Sequence, residues 1–111
     1  MKSVAEMSNT SLRIAIATES PRFGWKNTRL ESGRLVGNRR RGLGERVAEI
    51  PNWPEDFATA VILWEIMEVH GLKDSFATSV KIIAGITTPS ARQLSEAAVM
   101  TIRDDAACAA V

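Results

Sequence analysis

Apolar and polar positions change period near the middle of this chain of 111 residues. In the first half the spacing is closer to two. Leu12, Ile14, Ile16 and Thr18 fall on one side of an extended segment, with Arg13, Ala15 and Ala17 on the other, which predicts a strand over 12–18. Glu19-Ser20-Pro21 ends it, because proline brings no amide donor to a ladder. Glu31-Ser32-Gly33-Arg34 has turn chemistry between Thr28-Arg29-Leu30 and Arg34-Leu35-Val36, predicting a hairpin with Ser32-Gly33 at its tip. Gly37 to Gly44 holds three glycines and three consecutive arginines, a composition that predicts a mobile loop. Arg46 to Ile50 adds a short strand.

The second half has helical spacing. Asn52-Trp53-Pro54-Glu55 offers a cap with Glu three residues on, predicting a helix from Trp53 to His70 that stops at Gly71. Its apolar residues occupy nearly every side, as expected of a helix buried centrally or in an oligomer. Asp74 caps a shorter helix over 75–84, closed by Gly85, with Phe76, Val80 and Ile83 on its inner stripe. Thr88-Pro89 opens a last helix, on which Ala91, Leu94, Ala98 and Ile102 mark one narrow face opposite Arg92, Glu96 and Arg103. This last helix is expected at the surface. The fold class is therefore α+β: a small antiparallel sheet or hairpin from the N-terminal half, packed on three helices from the C-terminal half.

The length suits one domain over 1–111, with 1–10 and 106–111 frayed. An apolar share of 45% supports a packed core. Cys108 is the one cysteine, so no internal disulfide is available and a reducing, cytoplasmic setting is expected. The N-terminal residues carry no secretory pattern, and no apolar run reaches the length of a membrane span. The overall charge of +1 conceals an asymmetry: residues 1–50 hold ten basic against five acidic side chains, and residues 51–111 hold four against eight. That bears on partners.

Candidate chemistry is sparse. His70 is the single histidine, and on one helix Glu65, Glu68 and His70 point apart, so no metal site is expected. A Cys108–His70 nucleophile is disfavoured by Asp104 and Asp105, which would raise the thiol pKa. Gly37, Gly42 and Gly44 match neither a phosphate loop nor a dinucleotide fingerprint. Residues 79–94 have a helix-turn-helix outline but a single cation, Arg92, near the start of the would-be reading helix, and plain helix packing is the simpler account.

The basic cluster remains. Arg39, Arg40 and Arg41, with Arg34, Arg46 and Lys26, suit an anionic partner, and Trp25 and Phe23 offer stacking faces nearby. The expected function is a non-enzymatic binding protein, without cofactor, whose arginine loop engages nucleic acid or an acidic protein surface. The alternatives are an inhibitor or regulator that docks on another protein, and an enzyme or small-ligand binder with a pocket lined by Trp53, Phe57 and Trp64. A homo-oligomer is expected through Ile62, Leu63, Trp64, Ile66 and Met67.

Overall fold

The computed structural model describes residues 3–19, 25–41 and 44–109; the side chains of Arg40, Arg41, Cys108 and Ala109 are outside that description, as is Phe23. The architecture is α+β. A short 3-10 turn at Val4–Glu6 precedes α1 (Asn9–Thr18), a three-stranded antiparallel meander β1 (Trp25–Glu31), β2 (Arg34–Arg41) and β3 (Gly44–Glu49), and then α2 (Phe57–Val69), α3 (Lys73–Ala84) and α4 (Ala91–Ala109). No described helix is long and apolar enough to cross a membrane.

The predicted strand over 12–18 is instead the body of α1. Ser8 accepts a hydrogen bond from the Ser11 backbone N–H at 3.1 Å, a side-chain cap of the kind that stabilises a helix start by about 1 kcal/mol. Leu12, Ala15 and Ile16, at helical spacing, are buried together with Ala17. A Leu-x-x-x-Ile pair satisfies both periods, and the cap together with the alanines tips the choice toward helix.

The sheet follows the predicted hairpin. Ser32 and Gly33 both have positive φ, +53° and +78°, as a two-residue turn of type I′ demands. The predicted loop over 37–44 is overturned: β2 runs through Arg41 and β3 starts at Gly44, so the arginines lie in a hairpin. Between Lys26 and Arg29 the β1–β2 register shifts, leaving Asn27 and Thr28 opposite Gly37. This is a bulge, with Asn27 at φ +53°, a conformation asparagine tolerates better than most residues. Arg29 ties the bulge down by donating from Nη1 to the Asn27 carbonyl at 2.9 Å and to Asn38 Oδ1 at 3.3 Å. Gly37 fits closely here, since a Cβ would stand 3.2 Å from both the Trp25 ring and the Lys26 carbonyl.

Three helix starts differ from expectation. α3 begins at Lys73 with Leu72 at the cap position, so Asp74 lies in its first turn instead of capping it. Asn52 does not cap α2; its carbonyl closes a turn through the Asp56 N–H at 3.0 Å, and Asp56 caps the helix by accepting from the Ala58 N–H at 3.2 Å. At α4 the reciprocal cap is Ser90 with Gln93, whose bonds are 2.9 and 3.1 Å, rather than Thr88. α4 is not a surface helix. Residues Leu94 to Val99 are all buried, and α4 packs against α1, α2 and α3. Leu12, Ile16, Leu35, Ile50, Leu63, Met67, Phe76 and Val99 join one core around it. At its two ends α4 also binds the N-terminal segment. Arg92 donates to the Met7 carbonyl and Asn9 Oδ1, both at 2.6 Å, and Arg103 forks onto Glu19 at 2.8 and 3.1 Å.

Candidate anionic-partner interface

The hairpin sorts the predicted basic cluster onto two faces. Trp25 is directly opposite Arg39, which is directly opposite Arg46, so the three form a row across β1, β2 and β3 on the face that also carries Leu35 and Ala48. Lys26, opposite Asn38, lies on the other face, and strand alternation puts Arg34 there too. The side chains of Arg40 and Arg41 lie outside the described residues; their backbones pair with Glu45 and Gly44. The six cations therefore do not form one patch.

Within the row, Trp25 is buried and Arg39 is exposed above it, with the guanidinium carbon 5.5 Å from the ring centroid. That distance is within reach of a cation–π contact, which holds the guanidinium without neutralising it. Arg46 sits across from Arg39 with like charge, an arrangement that disfavours the hairpin when no anion lies between. The β3 carboxylates Glu45 and Glu49 fall at the alternate positions, on the other face.

Beside Arg39 opens a cleft of about 420 Å³ between the sheet and α2. Its buried members Trp25 and Trp53 make the floor, and Ile66 and Pro51 are half-buried at the sides. Arg39, Ile62 and Val69 are exposed and mark the rim, with His70 half-buried at the end of α2. Arg13 of α1 fixes the chain under this cleft, donating from Nη2 to the Ile50 carbonyl and from Nε to the Pro51 carbonyl at 3.3 Å. Of the three aromatics expected to line a pocket, only Trp53 does so. Trp64 packs edge-on against Phe76 with centroids 4.6 Å apart, and Phe57 is exposed at the start of α2.

The predicted oligomer interface is likewise divided by the helix rotation. Leu63 and Met67 are fully buried within the chain, so neither can meet a second copy. Ile62 is exposed, and Trp64 and Ile66 are half-buried. The outward apolar residues of α2 are Phe57, Val61, Ile62 and Val69. Among the described residues no group of three or more His, Cys, Asp or Glu side chains converges on a point where a metal could sit. No protein-family model matches the chain, and no curated protein or solved structure matches it either.

Proposed function

We propose that this chain is a non-enzymatic binding protein that engages an anionic partner, nucleic acid first, through the face of the sheet bearing Arg39 and Arg46. The observation that carries this reading is the Trp25–Arg39–Arg46 row. Two arginines are paired directly across β2 and β3, and one is braced on a tryptophan ring. Like charges at such a pair are unfavourable, and phosphates along a strand would relieve this, with arginine forks suited to them. Binding of a mixed-sequence single strand and duplex, measured at two salt concentrations, tests the reading. A steep loss of affinity with salt is expected, and binding that ignores salt would overturn it.

A second reading is supported by a different feature. Phe57, Val61, Ile62 and Val69 are exposed on the outward side of α2, with Val69 at 81%, and Glu65 and Glu68 are interspersed among them. Clusters of exposed apolar side chains commonly mark protein contacts. On this reading the chain is an interaction module that docks on another protein or on a second copy of itself.

A further inference from the structure

We infer that the cleft between the sheet and α2 binds a small monoanionic organic acid with a flat apolar body. The inference does not depend on nucleic acid being the partner of the sheet, although the two readings share Arg39.

Enclosure is the first argument. A space of about 420 Å³ lies within the usual range for small-molecule sites, and its floor is built from two buried tryptophans. Walls of Ile62 and Ile66 on one side and indole rings below favour a planar or branched apolar body over a polar one.

Charge is the second. Arg39 stands at the rim, and among the described lining residues it is the one arginine or lysine, none is Asp or Glu, and His70 lies at the end of α2. A single anionic group at the rim would therefore complete a charge-assisted hydrogen bond with the guanidinium while the body displaces water from the apolar walls. Arg39 is the one permanent charge among the described lining residues, which suits a ligand with a single anionic group. The guanidinium's place over Trp25 limits its freedom, which lowers the entropy lost on binding.

The tryptophans supply an internal control. The chain has three, and Trp25 and Trp53 line the cleft whereas Trp64 packs against Phe76. The full chain is titrated with 2-naphthoate and, separately, with neutral 2-naphthalenemethanol, following the three indole N–H signals by NMR. Each signal is assigned by a single Trp→Phe substitution. The expected result is that the Trp25 and Trp53 signals move together with a dissociation constant of about 0.1–1 mM. Trp64 stays in place, and the alcohol binds about tenfold more weakly. Val69→Glu sets a carboxylate on the rim that Arg39 also lines and should weaken naphthoate at least about fivefold more than it weakens the alcohol. Arg39→Gln should make acid and alcohol bind alike.

No movement of the Trp25 and Trp53 signals, equal movement of all three, or equal affinity for acid and alcohol in the unaltered chain would each overturn the inference. Strand binding is measured on the unaltered chain under the same conditions. If strands bind with normal salt dependence while naphthoate never binds, the cleft inference fails and the sheet reading stands. If naphthoate binds as expected and strands do not, the reverse holds.

Discussion

Trp25 and Arg39 face each other directly across β1 and β2, with the guanidinium 5.5 Å from the ring centroid, and Arg46 continues the row on β3. The hairpin thus puts Arg39 and Arg46 on one face and Lys26 and Arg34 on the other. Replacing Arg39 and Arg46 together by alanine should flatten the salt dependence of nucleic-acid binding by about 1.5 units, if each contacts one phosphate. Replacing Lys26 and Arg34, on the opposite face, should leave the slope unchanged. Equal effects from both pairs would show that the partner wraps the hairpin instead of lying on one face.

Leu63 and Ile62 are neighbours with opposite environments: Leu63 is 0% exposed and Ile62 is 49% exposed. Leu63→Ala should therefore destabilise the fold by about 2–5 kcal/mol, the usual range for emptying a packed site. Ile62→Ala should cost within about 0.5 kcal/mol of nothing in a monomer. Denaturant midpoints of the two variants, taken at low protein concentration, check the difference.

Gly37 sets how closely Trp25 can lie on the sheet, because an added Cβ would stand 3.2 Å from both the ring and the Lys26 carbonyl. The ring and the backbone must give way together. Gly37→Ala is expected to cost about 1–3 kcal/mol and to shift the tryptophan emission as Trp25 is lifted from its seat. A neutral substitution with unchanged emission would show that the bulge absorbs the methyl group.

These contrasts mark where the sequence is and is not readable. The Ser32-Gly33 tip and the helical half are legible because turn residues and 3.6-residue spacing are local signals. The Trp25–Arg39 pair is not. Counting back from the tip without interruption pairs Arg39 with Lys26 and turns Trp25 to the other face; the bulge at Asn27 and Thr28 moves the register by one. Nothing local except an asparagine at position 27 hints at it. The Gly-Arg run was equally misleading, since glycine content suggests a loop while β2 uses Gly37 as a close-approach site. The rank of the helices failed for a different reason. α2 is the more apolar in sequence, but α4 buries Leu94, Ser95, Ala97, Ala98 and Val99, mostly small residues that let three helices approach it.

Glu19 and Arg103 join the end of α1 to α4. The hydrogen bond from Arg103 to Glu19 raises the Arg103 pKa above its ordinary value; partial burial opposes this, and the attraction of the Glu19 charge adds to it. A raised folded-state pKa on a cation contributes stability that is complete below the unfolded value and is lost only as pH rises through the folded value. The contribution of Arg103 should thus be flat from neutral pH to about pH 11. Both side chains are partly exposed, so Glu19→Gln should cost no more than about 1 kcal/mol, by the same amount at pH 7 and pH 10. Thermal midpoints of the two proteins at both pH values test this, and a gap that closes by pH 10 would place the pair's contribution elsewhere.

The outward face of α2 leads to the last expectation, which concerns self-association. Phe57, Val61 and Ile62 lie within two turns of one helix and are 50%, 42% and 49% exposed. Val69 extends the apolar face at the far end, while Glu65 and Glu68 interrupt it. An antiparallel pairing of two such helices about a two-fold axis would put the apolar first turns of one copy against those of the other, since a two-fold interface repeats the same patch on both partners. The charged positions would then flank the contact. Light scattering across a micromolar concentration series should give twice the chain mass at the upper end, and Val61→Glu should return it to one chain without changing the unfolding midpoint at low concentration. Ile62→Ala would then destabilise only the dimer, so its cost should grow with protein concentration. If the unaltered chain keeps one-chain mass throughout, self-pairing through α2 is excluded, and the apolar face is left to a different protein partner, detectable as a Val61→Glu-sensitive complex.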